Sequence, residues 1–239
     1  DLNGADVSFP LTAGFTSFND AAGLTKFNRA LAARVDIYSG QWSTALNDLS
    51  ESFFDINGNF NTGVYDVFGT GSGDQLNPAF FPQNQSGEVR LAHPTYATDI
   101  EANDDRIAKA TLRNAPATSS GLTSDRDVWV YTSSTAEVPL VRNEELILIY
   151  AEANIQTNSL PNAVTALNKI RTSHGLLPYS GAVTVDALTD EMLKQRRFSL
   201  FFEGHRWIDM RRYDRLGQLP IDRPEDDVWN EFPLPNTEQ

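Results

Sequence analysis

The chain has 239 residues, 40% of them apolar and 10% aromatic, and no cysteine. That length supports one large domain or two modest ones with a substantial core, and the lack of thiols excludes disulfide frameworks, thiolate metal sites and cysteine nucleophiles. Nineteen bases against 32 acids leave a net charge of −13, which repels nucleic acid and anionic membrane surfaces alike. No apolar run approaches the roughly 18 residues of a membrane-spanning helix; the longest obvious one covers 146–151. The chain opens on Asp1 without a basic stretch and apolar run behind it, so we expect a chain processed or excised from a longer one, any targeting signal lying upstream.

Residues 24–53 read as two helices. Leu24, Phe27, Leu31, Val35 and Tyr38 recur at spacings of three and four, which line one helix face, and Ser39-Gly40 closes the run with a glycine suited to the left-handed region. A second stripe follows at once in Trp42, Ala45, Leu46, Leu49 and Phe53; so short a turn makes the pair antiparallel. The helical period is lost over 55–100, which hold six glycines, three prolines and five asparagines, with Arg90 the one base against five acids. This stretch reads mainly as long ordered loop, with short β-like pieces at 64–68 and 88–91. Loops of this length are functional or disordered, and Phe60, Tyr65, Phe68, Phe80, Phe81 and Tyr96 argue for order. Val128, Trp129, Val130 and Tyr131 read as a strand or extended segment after a Gly/Ser-rich loop.

Helices return at Asn143, where Leu146, Ile149, Tyr150 and Ala153 form a stripe. A turn at 157–160 leads to Pro161, suited to a first helical position, and Ala163, Leu167 and Ile170 form the next stripe, stopped by Gly175. A further helix is expected over 185–202 with Thr184 as N-cap, broken by Gly204 before a last helical stretch at 205–216. The proline-rich tail from Gly217 is expected to lie extended on the surface, with Trp229 pinning it. The pairs 24–53 and 143–171 echo each other in Ala45-Leu46-Asn47 and Ala166-Leu167-Asn168. Small residues at fixed positions let paired helices pack closely, the physical content of a tetratricopeptide-like repeat.

Catalytic patterns are missing. Glu144 and Glu145 are adjacent on a helix, so their side chains diverge by about 100° and cannot flank one glycosidic bond. Asp104 and Asp105 read as loop charges or local partners of Arg106. His93, His174 and His205 form no HExxH pattern, and Gly69-Thr70-Gly71-Ser72-Gly73 lacks the Lys-Ser/Thr of a phosphate loop. Asp55, Asn57, Asn59 and Asp66 sketch a calcium loop, but Phe60 stands where the glycine belongs and the bidentate glutamate is missing; Asx turns explain them better. The bases Lys194, Arg196, Arg197, Arg206, Arg211, Arg212 and Arg215 are interleaved with six acids, which predicts a structural ion network, with Glu203 opposite Arg206 at helical pairing distance.

The run Arg142-Asn143-Glu144-Glu145-Leu146-Ile147-Leu148-Ile149-Tyr150-Ala151-Glu152-Ala153, then Ala166-Leu167-Asn168-Lys169-Ile170-Arg171 and Gly175-Leu176, resembles the SusD/RagB family. So does Gln195-Arg196-Arg197-Phe198-Ser199-Leu200-Phe201-Phe202-Glu203-Gly204-His205-Arg206-Trp207-Ile208-Asp209-Met210-Arg211-Arg212, and Phe232-Pro233-Leu234-Pro235 followed by Glu238 is similar to that family's closing segment. Gln195 stands where the family usually has glutamate, a local variation in a packing motif. The resemblance covers the C-terminal half of such a protein. It implies a tetratricopeptide-like scaffold, surface exposure at the outer membrane of Bacteroidota-type cells, a lipid anchor on the full-length precursor, and delivery of captured glycan to a TonB-dependent, SusC-like transporter.

A sugar ring has an apolar CH face and a hydroxyl rim, so flat aromatics with polar neighbours grip it. Trp42 and Trp207 fall in helical stripes and read as core. Trp129 and Tyr131 share one side of an extended segment and, with Tyr65, Phe68 and Tyr96, are the expected glycan platform. The expectation is a mainly α protein of tetratricopeptide-like helix pairs with an irregular insertion and a few short strands. It forms a single domain over 1–239, incomplete at its N-terminus: helical over 20–54, loop-rich over 55–136, helical over 137–217 and extended over 218–239. Its expected function is non-catalytic glycan capture, without cofactor, metal or nucleic acid. The alternatives are a protein-binding helical scaffold and a glycoside hydrolase fragment.

Overall fold

A computed structural model describes residues 7–231; the closing segment from Phe232, with Glu238, lies outside the described residues. The architecture is mainly α. Helices α1 (Ala21–Tyr38) and α2 (Trp42–Glu51) form the first antiparallel pair, β1 (Gly63–Asp66) and the short α3 (Thr95–Asp99) follow, and a hairpin of β2 (Ala110–Ser119) and β3 (Leu122–Val128) leads to β4 (Val138–Arg142). Helices α4 (Asn143–Gln156), α5 (Leu160–Ser173), α6 (Val185–Ser199) and α7 (Arg206–Arg212) complete the frame.

Local chemistry sets the helix ends. The Asp20 carboxylate accepts the Gly23 amide at 2.6 Å to open α1, and the Thr184 hydroxyl accepts the Ala187 amide to open α6, each satisfying a first-turn donor. Gly40 (φ 72°) and Gly175 (φ 79°) take left-handed conformations after α1 and α5, which side chains with a Cβ resist. The α1 seam differs from its large-residue stripe. Its deepest residues are Gly23, Ala30, Ala33 and Ile37, whereas Val35 is 60% exposed. Alanines let α1 approach its neighbours closely, and that rotates the buried face away from Val35.

Helix α4 is the axis. Leu146, Ile149 and Ala153 pack with Ala30, Ala33, Ile37, Ala45 and Leu49 of α1 and α2; Ile147, Leu148, Ala151 and Ile155 pack with α5 and α6. It is therefore apolar on opposite sides, as a helix enclosed by others must be. Full burial of each Leu or Ile contributes about 1.5–3 kcal/mol.

The insertion holds more regular structure than its composition suggests. β1 pairs antiparallel with β4. β2 and β3 join through Ser120 (φ 50°) and Gly121 (φ 81°), the two positive φ values of a two-residue hairpin turn. Pro116 sits in the irregular stretch between the pairs Leu112↔Arg126 and Ala117↔Ser124, where no ladder donor is needed. The strand ends at Val128, so Trp129 and Tyr131 follow it. Asp55 Oδ1 accepts the Asn57 amide and Asn59 Oδ1 the Asn61 amide, each at 2.8 Å: both are Asx turns.

Candidate functional site

After Ser199 the chain turns sharply. Phe202 (φ 66°) and Gly204 (φ 84°) both take left-handed conformations, and α7 starts two residues later. This turn separates two consecutive rings. Phe201 goes inward to lie 4.2 Å from Tyr96 between ring centroids, while Phe202 stays 39% exposed. Trp207, expected in the core, is instead 37% exposed, because the break at Gly204 resets the helix face that α7 presents.

Phe202 and Trp207, with Leu200, Leu219 and Pro220, wall a cleft of about 610 Å³. Its polar lining includes His93, Thr95, Asp99, Arg197, Arg206 and Gln218. Arg197 donates to Asp99 Oδ2 at 2.7 Å and to Thr95 Oγ1 at 2.9 Å. Burial pushes the Asp99 carboxyl up, but the Arg197 guanidinium outweighs it and holds the group below its ordinary value. His205 is buried beneath the cleft against the Tyr38 hydroxyl, 3.0 Å away, and burial brings its pKa down to about 4.

A buried ion network fixes these walls. Arg196, 1% exposed, donates through Nε to Asp209 Oδ2 at 2.7 Å, tying α7 to α6. Arg212 bridges Asp209 and Glu152 of α4. Arg106 pairs with Asp104 and donates to Gln195 Oε1 at 2.6 Å, while the Gln195 amide donates to Glu191. A glutamine in that position supplies both an acceptor and a donor, which a carboxylate cannot. Arg142 binds Glu144 and Glu203, and Arg34 holds Glu145 at 2.6 Å, so the two adjacent glutamates do diverge. Glu203 is thus taken by Arg142 rather than the expected Arg206, since Gly204 interrupts the helical spacing between them.

The SusD family model matches residues 103–236, more than half of the chain. The chain belongs to the SusD family. Solved structures with the same fold include a SusD superfamily protein from Bacteroides vulgatus ATCC 8482 (19% identity, TM-score 0.57, covering 82% of this chain and 52% of that one). A SusD-like carbohydrate binding protein from the same strain matches at 17% identity and TM-score 0.56, over 89% of this chain and 48% of that one. Surface glycan-binding protein A from Bacteroides uniformis matches at 16% identity and TM-score 0.52, over 82% and 50%. The chain spans about half the length of these structures, and at such identities the likeness shows the fold. No curated protein matches.

In this SusD-family chain the five residues expected to form a platform do not come together, although one of them, Tyr96, lines the cleft. Tyr96, 2% exposed, is a core ring whose hydroxyl donates to the Arg106 carbonyl at 2.8 Å. Tyr131, 6% exposed, lies 6.2 Å from Phe202. These two therefore back the cleft aromatics rather than offer free faces. Trp129 is half-buried against Phe80, 6.0 Å away. Tyr65, on β1, donates to the Asn61 carbonyl at 2.6 Å, and Phe68 is half-buried beyond that strand. Phe202 was legible only as a motif residue, Trp207 was read as core and Arg206 as part of an ion network; the signal that could have exposed the two rings is Gly204, which forbids one continuous stripe through both. Trp229 is 45% exposed; the tail is tied instead through Asp222 to His93 at 2.8 Å and through Arg223 to the Ser120 carbonyl. Among the described residues no group of three or more His, Asp or Glu side chains could hold a metal ion, and no helix is long and apolar enough to cross a membrane.

Proposed function

We propose that this protein captures glycan without cleaving it, stacking sugar rings on Phe202 and Trp207. The observation that carries the reading is the pair of large rings left exposed on one cleft beside hydrogen-bonding side chains. Exposed aromatic faces bury favourably against the CH face of a pyranose, and Thr95 and Gln218 suit its hydroxyl rim. A glycosidase needs two carboxyl groups about 5–9.5 Å apart, whereas among the described residues Asp99 is the one carboxylate lining the cleft, and it is held ionised by Arg197. Family membership supports the remaining parts of the proposal: exposure at the outer-membrane surface, a lipid anchor on the precursor, and transfer of the glycan to a SusC-like, TonB-dependent transporter.

The test is affinity electrophoresis against a polysaccharide panel, followed by calorimetry on the best binder. Phe202→Ala and Trp207→Ala should each weaken binding at least about tenfold, or ~1.4 kcal/mol, with unchanged thermal unfolding. A second arm replaces Trp129 and Tyr131 together. Loss there, with Phe202 and Trp207 dispensable, would move the site to the Trp129–Phe80 patch, with Tyr65 and Phe68 as its neighbours to probe next. Binding that survives every one of these changes in a folded protein would refute the aromatic platform, and release of reducing sugar would refute non-catalytic capture.

A further inference from the structure

Arg206 stands where the aromatic cleft meets a second hollow of about 400 Å³; the two share Asp99, Arg197, Arg206 and Gln218. Over the joined walls, among the described residues, Lys194, Arg197, Arg206 and Arg215 are lined up with two acids, Asp99 and Asp190. Three of these cations are already engaged: Lys194 with Glu101 at 2.8 Å, Arg197 with Asp99 at 2.7 Å, and Arg215 with Asp190. Arg206 has no carboxylate within ion-pair distance among the described residues, and its Nη1 reaches only the Leu193 carbonyl at 3.5 Å. Burial and the neighbouring Arg197 bring its pKa down to about 10 against the opposing pull of Asp209 and Asp99, so it remains charged at neutral pH without an ion-pair partner among the described residues. In a chain of net charge −13, a cationic hollow with an unpaired guanidinium is unexpected unless an anion completes it.

We propose that the glycan held by this cleft is acidic, with a carboxylate or sulfate group seated on Arg206. The proposal rests on the glycan reading above. A guanidinium presents paired N–H donors that match either anion bidentately. Arg206 and Trp207 line the same cleft, so one bound glycan can meet both: a CH face on the indole and a ring-edge anion on the guanidinium. A uronic acid and a sulfated hexose carry the anion at that edge. Neutral sugars would leave Arg206 uncompensated.

Matched probes separate the charge from the sugar. Calorimetry on the unaltered chain compares polygalacturonate with its methyl ester for the carboxylate arm, and a sulfated galactan with its desulfated form for the sulfate arm. The expected result is binding of at least one charged member, at least tenfold tighter than its neutral partner and weakening as NaCl rises. Arg206→Gln should remove that preference, Arg206→Lys should restore part of it, and Trp207→Ala should weaken charged and neutral forms alike. Neutral glycans bound as well as charged ones, or a charge preference untouched by Arg206→Gln, would overturn the proposal while leaving the glycan reading intact. Failure of every polysaccharide, charged or neutral, to bind would overturn both. The comparison of charged and neutralised polymers needs no variant, so it decides the question even if Arg206→Gln does not fold.

Discussion

Replacing Asp209 with asparagine should unlatch α7 from α6 at large cost. Arg196 is 1% exposed, and its Nε hydrogen bond to Asp209 is its one side-chain partner; Nη1 and Nη2 have none among the described residues. The nearby Glu152 is already occupied by Arg212 at 2.7 Å and by the Tyr213 hydroxyl at 2.8 Å. Burial alone would raise the Asp209 pKa, yet Arg196 and Arg212 hold it below its ordinary value, so the carboxylate is ionised and opposes the buried cation. Asp209→Asn preserves shape and removes that charge, leaving a buried guanidinium uncompensated. Such losses run to about 3–5 kcal/mol, which for a chain of this size lowers the unfolding midpoint by roughly 6–20 °C. Urea titrations followed by tryptophan fluorescence and circular dichroism measure it. The exposed pair Arg215–Asp190, broken by Asp190→Asn, is the control and should change stability by about 0–1 kcal/mol. Joint replacement by Arg196→Met and Asp209→Leu should recover most of the loss, since it removes both charges. A loss below about 1 kcal/mol for Asp209→Asn would refute the claim that this pair latches the helices.

Two further perturbations test other parts of the fold. Burial depresses the His205 pKa from its usual 6.5 to about 4, so between those values the unfolded chain binds the proton and the folded chain does not. Stability should therefore fall as pH drops from 6.5 to 4, by up to about 1.4 kcal/mol per pH unit; urea midpoints across that range should show a shallower slope for His205→Gln, and an identical slope would contradict the assignment. Gly175 combines φ 79° with a Cβ position only 2.7 Å from the Asn103 carbonyl oxygen. Gly175→Ala should cost about 1–3 kcal/mol in thermal unfolding, whereas Gly217→Ala, where an added methyl meets nothing, should leave the midpoint in place.

Periodicity made the helical frame legible, because its strongest stripes fell on elements whose ends carry their own signals: Gly40, Pro161, Gly175, Thr184 and Gly204. What it could not convey was enclosure. Helix α4 reads as a one-sided stripe plus polar residues, yet Asn143, Glu144, Glu145 and Glu152 are all buried. Each is tolerated because a partner distant in sequence meets it, Arg34 being 111 residues from Glu145, and a pattern local to one helix holds no trace of such pairs. The β2–β3 hairpin escaped for a different reason. β2 is largely exposed and β3 buries the polar Ser124 and Asp127 beside Val128, so burial imposes no apolar alternation, and the signal was confined to the Ser120-Gly121 turn, which reads as loop. At the cleft, the residues expected as a platform were chosen for ring chemistry in irregular segments. The structure spends Tyr96 and Tyr131 on packing, and leaves exposed instead two rings on either side of a helix break.

The exposed ring and the buried latch are two aspects of one short helix. At seven residues, α7 is far below the roughly 12–15 at which an isolated helix is even marginal, so its orientation is imposed by side chains. Asp209 and Trp207 are two positions apart, about 200° around the axis; pinning Asp209 inward against Arg196 and Arg212 turns Trp207 outward into the cleft. On the proposed reading, stability and ligand capture are then coupled through α7. A double-mutant cycle on glycan affinity, measured below the unfolding range of every variant, tests this directly. If Asp209 acts by aiming Trp207, Asp209→Asn should weaken binding in the parent chain and add little once Trp207 is alanine, a non-additivity of about 0.5–3 kcal/mol. Strictly additive losses would mean that the latch holds the fold without setting the cleft, and the outward turn of Trp207 would need another cause.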